Sequence, residues 1–214
     1  MKNPEKFVAF AKEICSRYPS ILSPIEAIRE SKKIIASGFE VRTLLTSLKG
    51  HEIDLISYGR RDAPNVFFYG FPDPGEAVGA TGILCLLRAL AENHPFLKAI
   101  DVRWNFITCL NFDDQPDEGR SLAPIMKTGA QEVDWMVHSP RPETSALLQV
   151  NEELRPVFTF PMHDEWHCHE DIPCYFPVGG SLSPSTSEGV RTIVKELGFA
   201  IAQEPLHPNL GPGF

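Results

Sequence analysis

Two short segments of this chain carry side chains able to hold a metal ion. The first, Asp73-Pro74-Gly75-Glu76, sets two carboxylates three residues apart. The second, Met162-His163-Asp164-Glu165-Trp166-His167-Cys168-His169-Glu170, gathers imidazoles among acidic groups. Each follows a run that reads as a strand. Two carboxylates and one imidazole can bind a divalent cation and leave a fourth position open to water, as a hydrolytic zinc site requires. Asp164 or Glu165 could orient the liganding histidine. A simpler explanation stands beside each segment. Asp73 with Pro74 behind it and Glu76 three positions on is also a helix-capping arrangement that needs no metal. Histidines in a loop are often merely solvated. A separate zinc knuckle of His167, Cys168, His169 and Cys174 fits no common structural spacing.

These segments need a scaffold, and the surrounding sequence supplies one. Phe7, Phe10, Ala11 and Ile14 share one face of a first helix. Ser23-Pro24-Ile25-Glu26 opens a second, with a capping serine, proline at the first helical position and a glutamate that reaches back. Strands are expected at 40–47, 52–58 and 65–70; the last, Asn65-Val66-Phe67-Phe68-Tyr69-Gly70, is apolar enough to be buried on both faces. Ile83, Leu86, Leu87 and Leu90 mark a helix after the first acidic segment, and Gly79 and Gly82 let it lie close on the sheet. A buried strand at Val102–Leu110, a polar turn-rich stretch over 111–129, a helix at 142–154 and a strand Val157-Phe158-Thr159-Phe160 follow. A last helix carries Val190, Ile193, Val194 and Leu197. Strand alternating with helix is the grammar of a mostly parallel sheet covered on both faces. In such sheets ligands bind beyond the carboxyl ends of the strands, where both candidate segments fall.

Other chemistries find little support. There is no phosphate-binding P-loop and no G-x-S-x-G serine elbow, and the glycines after Gly75 are a weak dinucleotide signal without a Tyr-x-x-x-Lys pair. Cys85 and Cys109 sit in apolar runs and read as core. With 20 Lys and Arg against 28 Asp and Glu, the net charge of −8 offers no footprint for nucleic acid or an anionic membrane. No apolar run approaches the ~20 residues of a membrane span. Five cysteines, odd in number, and a charged start MKNPEKFVAFAKE lead us to expect reduced thiols in the cytoplasm.

The segments also bear a resemblance. Tyr69-Gly70-Phe71-Pro72-Asp73-Pro74-Gly75-Glu76 is similar to the Gly-x-x-His-x-x-Glu run of M14-type zinc carboxypeptidases, in a compact bacterial branch. Ser139-Pro140-Arg141-Pro142-Glu143-Thr144-Ser145-Ala146-Leu147 resembles that family's S-E-P-E-T-x-A-L helix start, and Gln131-Glu132-Val133-Asp134-Trp135 a further segment of the compact branch. His163 stands where the third zinc ligand follows a strand, with Tyr175-Phe176-Pro177-Val178-Gly179 similar to the Y-P-x-G-like element beyond it. The likeness runs from about residue 50 to 200 and keeps the segments in order.

The resemblance implies a zinc-exopeptidase-like three-layer α/β/α sandwich on a mostly parallel mixed sheet. It implies one domain over 1–214, with 1–38 as an N-terminal helical segment. One zinc ion would be held by Asp73, Glu76 and His163. Asp73 occupies a position where the family has histidine, which makes the site harder and more anionic. Arg120, Lys127 and Arg141 are the cations near the segments that grip a substrate carboxylate, and an arginine suits bidentate recognition better than Lys127. The family's general base is a glutamate on a late strand, so the chain is expected to be C-terminally truncated; Glu165 is the nearest substitute. The implied activity is metal-dependent cleavage of a C-terminal amide beside a free carboxylate, on a peptide or a small acyl amino acid. A catalytically inactive binding relative and a deacylase of N-acyl amino acids are the alternatives.

Overall fold

The computed structural model describes residues 4–35, 38–47, 49–70, 77–111, 142–162 and 184–196. The chain divides into two compact units, one of residues 17–164 and one of residues 1–16 with 165–214. In the smaller unit, helix α1 (Pro4–Cys15) packs against the last described helix, Pro184–Glu196. Phe10 and Ile14 on α1 and Ile193 on its partner are buried.

The larger unit begins with α2 (Pro24–Ile34), whose start matches the sequence reading residue for residue. The Ser23 side chain accepts from the Glu26 backbone while the Glu26 carboxylate takes the Ser23 N–H at 2.9 Å, a complete capping box. Next come β1 (Phe39–Thr46), β2 (Glu52–Tyr58), β3 (Asn65–Gly70), α3 (Val78–Ala91), α4 (Pro95–Lys98) and β4 (Arg103–Ile107). After these lie α5 (Pro142–Leu154) and β5 (Phe158–Met162), and the Pro184–Glu196 helix of the smaller unit is α6. The sheet order is β1-β2-β4-β3-β5. β4, β3 and β5 are mutually parallel, and β2 runs against both β1 and β4. Four of the five described strands therefore share a direction, and the sheet is mixed as expected.

Strand alternation sorts the side chains onto two faces. One face buries Ile53, Leu55, Phe67, Tyr69 and Ile107 beneath Leu147 and Val150 of α5. The other carries Ile56, Val66, Trp104 and Phe106, and α3 and α2 close over it. Helix α3 buries Ile83, Leu84, Leu87 and Leu90, the apolar stripe anticipated from their spacing. Each such side chain contributes roughly 1.5–3 kcal/mol over an exposed one. Towards β5 the cover thins: Phe160 stacks on Phe68 at 4.6 Å, yet remains 40% exposed.

Polar side chains fix the register. Asn105, fully buried in β4, accepts from the Ser57 hydroxyl at 2.8 Å, and its amide donates to Asn65 Oδ1 and to the Val66 and Arg103 carbonyls. Asn65 donates in turn to the Leu154 carbonyl at the end of α5, which ties that helix to the sheet. Arg88 joins α3 to α2 through Glu30 at 2.5 Å and donates to the Tyr18 hydroxyl at 3.2 Å. Burial holds the Tyr18 phenol above its ordinary pKa despite this cation.

β1 and β5 are offset from the sequence expectation by one or two residues at their ends, and two departures are larger. β4 ends at Ile107 rather than Leu110, because the chain leaves the ladder while Cys109 and Leu110 stay buried. The short helix α4 was not anticipated. Asn93, at φ 58°, ends α3 with paired bonds from Asn93 N to Leu90 O and from His94 N to Ala89 O, and Pro95 then opens α4.

Candidate metal centre

The carboxyl edge of the parallel strands is where the chemistry was expected, and the described residues there are crowded. β3 ends at Gly70, whose carbonyl accepts from Leu110 N at 3.0 Å. Gly70 lies beside Met162, the last residue of β5, in the strand register. A β-carbon at Gly70 would stand 2.5 Å from the Thr108 carbonyl oxygen and 2.9 Å from Ala80 N. A β-carbon at Gly79 would collide with the Met162 carbonyl oxygen and meet Met162 Cβ at 2.6 Å. Side-chain-free crossings thus hold the ends of β3, β4 and β5 against the first turn of α3. The role foreseen for Gly79 is what the structure shows, while Gly82 meets only the flexible tip of Met162 at 3.2 Å.

The first turn of α3 also bears on the capping explanation for the acidic segment. That explanation makes Asp73 the N-cap and Glu76 the third helical residue. The helix instead begins at Val78, with Ala77 as its N-cap and no side-chain capping bond. Asp73 and Glu76, on which the capping explanation falls, lie outside the described residues.

All of the predicted site residues lie outside the described residues: Asp73, Glu76, His163, Glu165, Arg120, Lys127 and Arg141. What the structure gives is their described flanks. The chain enters the acidic segment from Gly70 and leaves it at Ala77, and it enters the histidine segment from Met162. Gly70 and Met162 belong to the crossing just described, and Ala77 lies two residues before Gly79. Among the described residues, no cluster of three or more His, Cys, Asp or Glu is arranged to hold a metal. Cys85 and Cys109 are buried, as core residues should be. No described helix is long and apolar enough to cross a membrane.

A cleft of about 290 Å³ opens at the opposite, amino edge, between Tyr58, Arg60, Leu97, Lys98 and Trp104. Its Arg60 is held by Asp101 at 3.1 Å and Asp62 at 3.4 Å. Sequence reasoning missed both this cleft and the part played by Met162. Only Gly79 gave a signal, as a small residue at the start of an apolar helix.

No protein-family model matches the chain, and no curated protein sequence does. Solved structures do. A metallo-carboxypeptidase from Pseudomonas aeruginosa, in complex with (2-guanidinoethylmercapto)succinic acid, superposes with a TM-score of 0.59 at 17% identity. That match covers 90% of this chain and 53% of the other. A metallo-carboxypeptidase from Burkholderia cenocepacia gives 0.56 at 17% identity, over 71% of this chain and 42% of its own. Bovine thrombin-activatable fibrinolysis inhibitor, in complex with tick carboxypeptidase inhibitor, gives 0.52 at 10% identity, over 79% and 68%. The fold is that of the metallo-carboxypeptidases, shared at low sequence identity. The chain spans about half the length of the two bacterial enzymes.

Proposed function

We propose that the chain is a metal-dependent hydrolase of the carboxypeptidase type, with one zinc ion held by Asp73, Glu76 and His163. The observation that carries this reading is the crossing of α3 over the ends of β3 and β5. Glu76 lies one residue before Ala77, and His163 directly follows Met162, which touches Gly79. The described flanks of the two segments therefore lie close together. The donor set fits the metal: carboxylate and imidazole are both ordinary zinc ligands, and three protein ligands leave a position for water.

Zinc, when bound, polarises the scissile carbonyl and makes its water a nucleophile near neutral pH. The remaining tasks fall to the chain. Asp73, in place of an imidazole, would make the metal site harder and more anionic. Proton transfer is assigned to Glu165, two residues after His163. One of Arg120, Lys127 or Arg141 positions the substrate's terminal carboxylate, with bidentate contact favouring an arginine. The Pseudomonas relative supports a substrate of this class, since it binds a succinic acid derivative.

The test is hydrolysis of a blocked peptide with a free C-terminus, the same peptide amidated, and an N-acyl amino acid, each with zinc and with EDTA. Zinc-dependent cleavage of the free-carboxylate peptide is expected, lost in His163→Ala and slowed in Glu165→Gln. Preference for the N-acyl amino acid would make the protein a deacylase. Binding without turnover of any of the three would make it a silent relative.

A further inference from the structure

We propose that the cleft at the amino edge of the sheet is a binding site for a small planar aromatic carboxylate. Every residue of the cleft is described, and all belong to the larger unit. Its volume of about 290 Å³ stands at the lower end of the ~300–1,000 Å³ usual for small-molecule sites, enough for a bicyclic ring. The walls are held in place by the protein itself. Tyr58 at the end of β2 and Trp104 in β4 are direct partners in the antiparallel ladder, so both side chains stand on one face of the sheet. Phe39 braces Tyr58 at 4.8 Å, and Phe106 lies parallel to Trp104 at 6.4 Å. The turn after β2 is fixed as well. A β-carbon on Gly59, at φ 106°, would stand 2.8 Å from the Val102 carbonyl oxygen, and the Gly59 carbonyl accepts from Arg103 at 3.0 Å. Leu97, 3% exposed, anchors α4 on the other side. Ile100 lines the cleft while 37% exposed, which leaves apolar surface for a ring to cover.

Charge selects among flat ligands. Two cations, Arg60 and Lys98, line the cleft against one carboxylate, Asp101. The whole chain carries −8, so the lining reverses the sign of its surroundings. Arg60 is committed to Asp101 at 3.1 Å and to Asp62, outside the lining, at 3.4 Å. The third basic group, His94, uses Nδ1 to accept the Phe96 N–H at 3.2 Å. Lys98 has no ion-pair partner among the described residues. Its ammonium is the charge left for a ligand, and a single carboxylate answers it. An uncharged ring leaves that ammonium unpaired, and a cationic one is repelled by it. A ring against the Tyr58, Trp104 and Ile100 surface with an acidic group towards Lys98 meets both demands. The inference uses no residue of the proposed zinc site and does not depend on the zinc reading.

The experiment titrates the full chain, freed of metal by EDTA and dialysis, with naphthoate, followed by amide NMR and calorimetry. Naphthalenemethanol, naphthylmethylammonium and acetate are titrated beside it. Naphthoate is expected to bind saturably, to shift the amides of Lys98, Ile100 and Asp101, and to bind more tightly than the other three. Lys98→Gln should weaken naphthoate about threefold to fivefold, the size of an exposed ion pair, and leave naphthalenemethanol unchanged. Ile100→Glu, at an exposed position, sets a carboxylate against the ring surface and should weaken naphthoate further. Lys33→Gln in α2, outside the lining, should bind as wild type does. No saturable binding of naphthoate, or shifts confined to residues outside the cleft, would overturn the proposal. So would equal or tighter binding of the alcohol or the ammonium analogue, or naphthoate affinity unchanged in Lys98→Gln or Ile100→Glu. Because the protein is metal-free, none of these outcomes bears on the zinc reading.

Discussion

Replacing Asn105 with leucine tests the polar network at the centre of the sheet. The side chain is fully buried, and its amide and carbonyl serve Ser57, Asn65, Val66 and Arg103 at 2.8–3.1 Å. Leucine has a similar length and can satisfy none of these groups. The buried Ser57 hydroxyl then loses its partner, as does the half-buried Asn65 side-chain oxygen. Each orphaned group costs about 1–3 kcal/mol, so the pair costs about 2–6 kcal/mol. Burying a leucine offsets roughly 2 kcal/mol. The net destabilisation is about 2 kcal/mol and as much as about 4 kcal/mol. Urea unfolding reads it as a lower midpoint at unchanged slope. Ser57→Ala sharpens the test. In the wild-type chain it leaves Asn105 Oδ1 unpaired and destabilises. In Asn105→Leu it removes a hydroxyl already orphaned, and should be neutral or stabilising. A Ser57→Ala cost that is equal in both backgrounds would refute the network as described.

Further expectations concern packing, charge and helix backbone. Leu147→Ala empties a fully buried position where α5 meets the sheet and should cost about 2–5 kcal/mol in urea unfolding; a cost below about 1 kcal/mol would mean that α5 does not pack there. The guanidinium of Arg103 first, then that of Arg61, holds the Glu40 carboxyl below its usual value of 4.5. Its stabilising effect is therefore present above about pH 4.5 and lost as pH falls through the folded value. The stability gap between wild type and Glu40→Gln should close on acidification, and a gap unchanged by pH would contradict the pairing. Gly189→Ala in α6 meets nothing within 4 Å and should raise stability by about 0.5–1 kcal/mol; destabilisation there would show that the position is crowded.

Local rules wrote the clearest parts of the sequence. The capping box of α2 was readable because Ser23 and Glu26 satisfy each other within one turn. β3 and β4 were readable because both bury nearly every residue, and α3 because its apolar stripe repeats with the helical period. The reversed direction of β2 was not readable, since its alternation is compatible with either orientation and only pairing with β1 and β4 decides. The helix expected after the acidic segment starts at Val78, where its first turn is seated on Met162. For the candidate site, residue type was legible and proximity was not. The contact between Gly79 and Met162 joins distant parts of the chain, and nothing near either residue announces the other.

Zinc content per chain, by plasma mass spectrometry on the wild-type protein and on Asp73→Ala after both are offered zinc, tests the central claim most directly. About one zinc in the wild type, lost from a folded Asp73→Ala, is the predicted result. A wild-type chain that takes up no zinc, or an Asp73→Ala that keeps all of it, would contradict the assignment of Asp73, Glu76 and His163 as the metal site.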